Sequence, residues 1–332
     1  MLDRATNCWV KLLSLSDTGF YCTIFWLLFF VLFACNAAIL AHYDLLAQTL
    51  LARSDNYFVL LLAVFCLLLQ VHVARRAPHP FRGFALETGY FIQIICFTLL
   101  FSALSSLQMY FWIAFFGFMP LNDSLLAQAD QALGFDWIGY LNWVKDTPWI
   151  RDLFYNAYYS IIWQVILLNL VSLYLRRQAI LYRFVLANLI ALLIVYITAG
   201  LFPAEGYITL KGYDTKLLSE LHWPAGYAHV EYYRQLRAGG FTEVFKSGFI
   251  ALITFPSYHT ILAVLLGWGF WSIQPLRWLA VLFNIIVVAS IPAIGGHYFS
   301  DCLAGLVVAA FVIWFCEKFE HTRQRLAADP GT

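Results

Sequence analysis

The chain has 332 residues, of which 62% are hydrophobic and 12% are charged, whereas soluble domains are about 25% charged. Its 20 basic and 19 acidic residues are too few to cover the surface of a soluble fold of this length. With a formal net charge of +1, no long basic run and no glycine-rich phosphate loop, the chain is a poor candidate for binding nucleic acids or nucleotides. The composition predicts an integral membrane protein whose apolar surface faces lipid.

Eight apolar runs are candidates for membrane-spanning helices, since roughly 20 apolar residues in a helix cross the hydrocarbon layer. In chain order they are residues 20–41, 57–74, 90–119, 155–175, 184–202, 256–271, 278–294 and 297–315. The first run is longer than the apolar part of a signal peptide, so we expect a retained anchor. The sequence shows no internal repeat and no soluble domain. The predicted fold class is therefore all-α, a polytopic transmembrane helical bundle of about eight spans.

The basic residues are unevenly distributed between alternate connecting segments, and cytoplasmic segments of membrane proteins retain Lys and Arg. One set of segments holds most of them and few acids: Arg4, Lys11, Arg75, Arg76, Arg82, Arg176, Arg177, Arg183, Arg277, Lys318, Arg323 and Arg325. Both termini are thus predicted to be cytoplasmic, with the long loops 122–154 and 203–248 on the outer face. The compact loops suit a bacterial inner membrane with a periplasmic site, although a lumenal site would give the same pattern.

Two segments near predicted outer helix ends carry residues that suit chemistry on an anion. The first is Pro256-Ser257-Tyr258-His259, directly before an apolar run. Proline favours the first helical turn, whose N–H groups attract anions. Ser257 adds a hydroxyl and His259 a proton donor.

The second segment is GGHYFSD, residues 295–301. If a helix begins there, His297 and Asp301 lie four residues apart on one face. An aspartate that accepts from one ring nitrogen leaves the other nitrogen able to attack or to take a proton. The topology brings His259 and His297 to the same membrane face, so that the two rings flank one anion. The alternative is that each is a structural residue at a helix end, as we interpret the other histidines.

These residues resemble the type 2 phosphatidic acid phosphatase superfamily, which shares its helical core with the vanadium haloperoxidases. The resemblance is carried by Pro256-Ser257-Tyr258-His259 and by Ser290, His297 and Asp301, and it covers about the last six spans. It implies a six-helix catalytic membrane domain at residues 88–320, after a two-span extension at 1–87 and before a cytoplasmic tail at 321–332. The bulky residue in place of the motif glycine is most similar to the inositol phosphotransferase branch, which makes inositol phosphorylceramide.

The resemblance also implies roles for individual residues. His297 is the expected nucleophile that forms a phosphohistidine, Asp301 its orienting partner, and His259 the acid that protonates the leaving oxygen. Phosphate binding is expected from Ser257, Gly296 and Tyr298. No metal and no cofactor is implied.

Two elements of the family pattern are missing from this sequence. The arginine of the third motif is replaced by Ile291, and the first motif, lysine followed after six residues by Arg-Pro, is absent. Since the charge of a transferring phosphoryl group needs compensation, other cations must serve. Arg237 is our first choice and Lys211 the next, with Arg234 and Lys216 as weaker candidates. The alternative for these side chains is an ordinary solvated loop charge.

We therefore expect a metal-independent lipid phosphatase or phosphotransferase whose substrate is a membrane lipid phosphate. The phosphoryl group passes to water, or to a polyol or lipid alcohol whose site we expect in the two outer loops. A catalytically silent lipid-binding or scaffold relative, and a transporter that uses the histidines as ligand or proton-relay groups, are the alternatives. Asp130 and Asp136, in the first outer loop, are interpreted as surface residues or helix caps.

Overall fold

A computed structural model of the protein describes residues 17–45, 105–210, 223–247 and 251–328, together with seven single positions between 83 and 101. The regular structure within these residues is entirely helical and contains no strand, which confirms the predicted all-α class. The predicted span at residues 57–74 and part of the span at 90–119 lie outside the described residues. The domain boundary predicted at residue 87 lies outside them too.

The described residues form a succession of helices. Those with defined bounds are α1 Asp17–His42, α2 Asp123–Ala132, α3 Trp137–Asp146, α4 Pro148–Tyr159, α5 Ile161–Tyr174, α6 Gln178–Leu201, α7 Tyr207–Leu210, α8 Val230–Arg237, α9 Phe241–Ser247, α10 Tyr258–Trp271, α11 Arg277–Gly295 and α12 Phe299–Ala328, with a 3₁₀ turn at Pro224–Gly226. Residues 105–115 are helical as well.

Four of the described helices, α1, α6, α11 and α12, are long and apolar enough to cross a membrane. Helices α4 and α5 together make a fifth candidate, bent by 52° at their junction. Helix α10, predicted as a span, is apolar but has only 14 residues. At 1.5 Å per residue it is about 21 Å long, less than the hydrocarbon thickness of about 30 Å.

The bend between α4 and α5 is a departure from the single span predicted at residues 155–175. It falls at Ser160, whose Oγ donates to the carbonyl of Ala157 at 2.6 Å and accepts from Gln164 Nε2 at 3.2 Å. A serine hydroxyl that bonds to a preceding carbonyl competes with the backbone ladder and bends helices. The apolar run alone does not reveal this break.

The chain divides into two compact units. The first comprises Met1–Ser105, Asn169–Leu186 and Trp314–Thr332, and the second Ser106–Leu168 and Ala187–Ile313. All described candidate site residues belong to the second unit. In its core, α11 packs against α10, α4 and α3.

Within the first unit, a buried polar group joins the start of α1 to the end of α12. Tyr21 stacks on Tyr182 with ring centroids 5.3 Å apart and donates to Glu320 Oε2 at 2.7 Å. Glu320 also pairs with Arg323 at 2.8 Å. Each polar atom in this group therefore has a partner of complementary charge or hydrogen-bonding capacity, as burial requires.

In the second unit, helix α2 supplies two buried carboxylates that organise the surrounding backbone. Asp123 accepts from the backbone N–H groups of Glu205 and Gly206 at 3.0 and 2.8 Å, and from the hydroxyl of Tyr298 at 2.9 Å. Asp130 is 1% exposed, and its two oxygens accept from the first backbone N–H groups of α12, those of Phe299 and Ser300, at 2.7 and 2.8 Å. Helix α2 thereby holds the start of α12 in place.

Asp130 and Asp136 are both helix caps, one of the two interpretations that the sequence allows. Asp136 caps its own helix α3 by accepting from the N–H of Gly139 at 3.0 Å. Asp130 caps α12, which lies 169 residues further along the chain, and it is buried instead of lying on the surface. A carboxylate at a helix N-terminus is stabilising because the N–H groups there have no partner within the helix.

We predict that Asp130→Ala lowers the free energy of unfolding by about 2 kcal/mol, because two buried N–H groups at the start of α12 lose their acceptor. Asp130→Asn, which keeps one acceptor oxygen, should lose less. Thermal unfolding of the purified full-length protein in detergent measures both variants. The matched control is Asp136→Ala, the loss of an exposed cap, which should cost about 1 kcal/mol. Equal stability of Asp130→Ala and Asp136→Ala would contradict the proposed capping of α12.

Candidate active site

His297 lies in the turn between α11 and α12 and is 4% exposed. Helix α11 ends at Gly295 and is capped by Gly296, whose φ of +67° is left-handed and favours glycine. The ring nitrogen Nδ1 of His297 lies 3.2 Å from Oδ2 of Asp301, which is fully buried. Oδ2 of Asp301 also accepts from the backbone N–H of Tyr298 at 2.9 Å, so that this acid reaches back to the residue before its helix. The pairing of His297 with Asp301 that the spacing predicts is therefore present.

The environment of His297 keeps its ring neutral. Burial lowers the pKa of His297 to about 4, and a backbone hydrogen bond with Thr254 opposes the shift. At neutral pH a ring nitrogen therefore carries a lone pair, which a nucleophile needs. A hydrogen on Nδ1, donated to the carboxylate of Asp301, would leave that lone pair on Nε2.

His259 is the second residue of α10, and it lies beside His297. The two imidazole centroids are 6.3 Å apart. The start of α10 is fixed by Ser257, whose Oγ accepts from the N–H of Thr260 at 3.4 Å and whose own N–H donates to the carbonyl of Asp301 at 3.1 Å. The structure thus brings together His259, His297 and Asp301, which the sequence singles out.

The three residues expected to bind phosphate already have protein partners. Ser257 is fully buried and serves as the cap of α10. The carbonyl of Gly296 accepts from the N–H of Tyr207 at 3.1 Å. The hydroxyl of Tyr298 donates to Asp123, and burial and this carboxylate raise the pKa of Tyr298, so that the hydroxyl keeps its proton. Their part in phosphate binding stays a prediction.

The candidate cations differ in what they contact. Arg234 forms a two-pronged ion pair with Glu205, with N–O distances of 2.8 and 2.7 Å. Arg237 donates to the carbonyl of Met119, and its guanidinium carbon lies 5.7 Å from the centroid of the Tyr233 ring. These contacts place neither arginine against His259 or His297. Lys211 and Lys216 lie outside the described residues.

The position at which the family has an arginine belongs to the apolar core. Ile291 is fully buried and shares one hydrophobic cluster with Trp137 and Tyr298. The side chain there contributes packing and no charge.

Several residues around the site carry no sequence signal that identifies them. Trp137 donates from Nε1 to the carbonyl of His297 at 3.1 Å and stacks on Tyr207 at 4.2 Å. Tyr158 stacks on His259 with centroids 4.4 Å apart. Both lie in aromatic-rich stretches of sequence where nothing distinguishes them from their neighbours.

His229, interpreted from sequence as structural, is buried close to the site. Its Nε2 donates to the carbonyl of Glu205 at 3.1 Å. Burial lowers the pKa of His229, and repulsion from a charged His297 acts in the same direction. The interaction with His297 places a third histidine within electrostatic range of the candidate nucleophile.

A cavity of about 670 Å³ adjoins the turn that carries His297. Its walls combine carboxylate, amide, hydroxyl and aromatic side chains: Ser124, Ala127, Gln128, Asp130, Gln131, Gly134, Phe135, Asp136, Trp137, Tyr207 and Leu210. Asp130 and Trp137 both line this cavity and bond to the backbone of residues 297–300. Among the described residues, no group of His, Cys, Asp and Glu has the arrangement of a metal site.

Comparisons with known proteins identify the family. A family model described as the PAP2 superfamily matches residues 124–315, which is more than half of the chain and includes both histidine segments. Neither the curated proteins nor the solved structures give a match. The chain belongs to the PAP2 superfamily.

Proposed function

We propose that this membrane protein cleaves a lipid phosphoester through a phosphohistidine at His297 and passes the phosphoryl group to water or to an alcohol. The observation that carries the proposal is the pair of imidazoles 6.3 Å apart, one of which is bonded to the buried Asp301. This arrangement supplies a nucleophile with an orienting acid and a second group for proton transfer. Membership of the PAP2 superfamily supports phosphatase chemistry in general.

In the first proposed step, Nε2 of His297 attacks phosphorus and the bond from phosphorus to the lipid oxygen breaks. His259 gives a proton to that oxygen, so that the lipid leaves as an alcohol. His297 becomes cationic as the nitrogen–phosphorus bond forms, and Asp301 stabilises this charge across the hydrogen bond to Nδ1.

In the second step, an oxygen of water or of an acceptor alcohol attacks phosphorus while His259 takes its proton. The nitrogen–phosphorus bond breaks and His297 returns to its neutral form. From a phosphomonoester substrate, water gives inorganic phosphate and an alcohol gives a new phosphomonoester. From a phosphodiester substrate, water gives a phosphomonoester and an alcohol gives a new phosphodiester. The phosphatase and the transferase therefore share the first step and differ in what reaches the phosphohistidine.

Positive charge for the phosphoryl group is proposed to come from Arg237 and Lys211. A guanidinium has five N–H donors, so that Arg237 retains donors beyond the one that bonds to Met119. Arg234 is less suited, because Glu205 neutralises it. Ser257, Gly296 and Tyr298 remain proposed phosphate ligands.

An alcohol acceptor, as in the inositol phosphotransferase branch, is proposed to bind beside the first outer loop. The cavity there is lined by carboxylates, amides and aromatic rings, and its described lining contains no Lys or Arg. Such a lining suits hydroxyl groups better than a phosphate. By the distribution of basic residues, we propose that this site faces the periplasm or a lumen, with both termini in the cytoplasm.

A catalytically silent, lipid-binding relative is the second candidate. The observation in its favour is Ile291, which packs in the core where the family has an arginine. Turnover by the purified protein decides between the two candidates.

We predict that the purified full-length protein, in detergent with a chelator, releases phosphate from lipid phosphates or transfers it to added polyol or lipid alcohol. His297→Ala should lower turnover by about 10³-fold or more, because it removes the nucleophile. The matched control is His321→Ala, an exposed histidine on α12, which should keep full activity.

Quantifying inorganic phosphate and new phosphate esters together separates the two activities. Phosphate alone indicates a phosphatase, and an acceptor-dependent ester indicates a transferase. Activity that survives His297→Ala would contradict the phosphohistidine mechanism. Wild-type protein inactive on every lipid would favour the silent relative.

The lowered pKa of His297 predicts an unusual pH dependence. Protonation of His297 removes the attacking lone pair, and its pKa of about 4 lies below the ordinary value of 6.5. After correction for ionisation of the substrate phosphate and of His259, the loss of kcat/KM caused by protonation of His297 should therefore appear only near pH 4. A pH–rate profile of the wild-type protein measures this limb. A fall centred near pH 6.5 would contradict a buried, neutral His297.

A further inference from the structure

We propose that Tyr158 positions His259 by stacking on its ring, so that Nε2 is the nitrogen that exchanges protons with the leaving and entering oxygens. This inference rests on the proposed function and assigns a role to a residue outside the family motifs. Tyr158 acts through His259, so we describe it as a positioning residue.

The contacts of Tyr158 place it between the two histidine segments. Its ring lies almost parallel to that of His259, at 20°, with the centroids 4.4 Å apart. Its hydroxyl lies 3.5 Å from Nδ1 of His259. On the other side the ring lies against Gly295, where a Cβ would come within 3.1 Å of Cε2 and 3.2 Å of the hydroxyl oxygen. Tyr158 is 5% exposed, so this packing leaves its ring little freedom to move.

In the proposed role, the stacked phenol fixes the orientation of the His259 ring, so that Nε2 meets the reacting oxygens. With the ring held in this orientation and a hydrogen on Nδ1, Nε2 holds either a proton or a lone pair. In the first step Nε2 gives its proton to the leaving oxygen, and in the second it takes one from the entering oxygen. The hydrogen on Nδ1 stays in place throughout, as does that of the tyrosine hydroxyl.

The partners of the two histidines match their proposed roles. His297 faces a carboxylate, Asp301, at 3.2 Å, which stabilises the positive charge that the ring acquires when it is phosphorylated. His259 faces a neutral phenol, which orients the ring without strongly stabilising its charged form. The neutral partner suits His259, because a carboxylate would stabilise the charged ring and oppose release of its proton.

The leaving group of the substrate distinguishes this role from a structural one. An alkyl phosphate expels a poor leaving group that needs a proton, whereas p-nitrophenyl phosphate expels one that does not. The ratio of kcat/KM for the two esters is the readout, because kcat/KM reports the steps up to departure of the leaving group. A general loss of structure would lower both values together.

We expect Tyr158→Leu in the full-length protein to lower kcat/KM for the alkyl phosphate by about 10- to 100-fold, within the contribution of general acid catalysis. The kcat/KM for p-nitrophenyl phosphate should change by less than about threefold, because its leaving group needs no proton. Tyr158→Phe keeps the stacked ring, removes the hydroxyl and should have an intermediate effect. Tyr155→Leu, on the same helix but 36% exposed, is the matched control and should change neither value.

A double-mutant cycle that combines Tyr158→Phe with His259→Ala completes the experiment. In that background Tyr158→Phe should have no further effect, since the group that it positions is gone. Equal losses for both esters, or no loss for the alkyl ester in Tyr158→Phe and Tyr158→Leu, would overturn the inference. Failure of the proposed function has a different signature, because turnover of p-nitrophenyl phosphate would then survive His297→Ala.

Discussion

The turn between α11 and α12 depends on three buried carboxylates, two of which accept from backbone N–H groups and one from a side chain. Asp301 accepts from the N–H of Tyr298, and Asp130 accepts from those of Phe299 and Ser300. Asp123 adds a bond to the hydroxyl of Tyr298. A buried carboxylate is unfavourable unless hydrogen bonds compensate for lost water, and charge-assisted bonds to N–H groups do so. The buried carboxylates therefore need the hydrogen-bond donors of the turn, and the turn needs the carboxylates to keep its conformation. His297 lies in this turn and is positioned by it.

This network also limits how the site can bind an anion. The N-terminus of a helix commonly attracts phosphate through its unpaired N–H groups. At the start of α12, the carboxylate of Asp130 already occupies two of those groups. Ser257 Oγ likewise accepts the N–H of Thr260 at the start of α10. Binding of phosphate here must therefore depend on side-chain cations and on the histidines more than on helix ends.

The sequence predicts the placement of the two histidine segments because their signals are local. Pro256 and Ser257 indicate the start of a helix, and the four-residue spacing of His297 and Asp301 predicts their contact. The charge asymmetry of the connecting segments then predicts that His259 and His297 meet on one face, and the two rings do lie side by side. The resemblance to the superfamily rests on the same short segments, and the family model that matches residues 124–315 confirms it.

The remaining contacts join residues far apart in the chain, and no local pattern predicts them. Asp130 meets the start of α12 across 169 residues, and Tyr158 meets His259 across 101. From sequence alone Asp130 has the same appearance as any acid in a polar loop. Tyr158 is one of many aromatic residues near a membrane surface, where tyrosine is common. The bend at Ser160 depends on a single hydroxyl, which an apolar pattern does not register.

Direct detection of the covalent intermediate tests the central claim. The purified protein would be mixed with a lipid labelled with ³²P in its phosphate group, quenched with alkali after a short interval, and digested for mass spectrometry. A phosphoramidate survives alkali and is lost in acid, which distinguishes it from a phosphoserine. Our account predicts label on His297 alone, absent from His297→Ala. Turnover without any labelled histidine, or label on His259 instead, would contradict it.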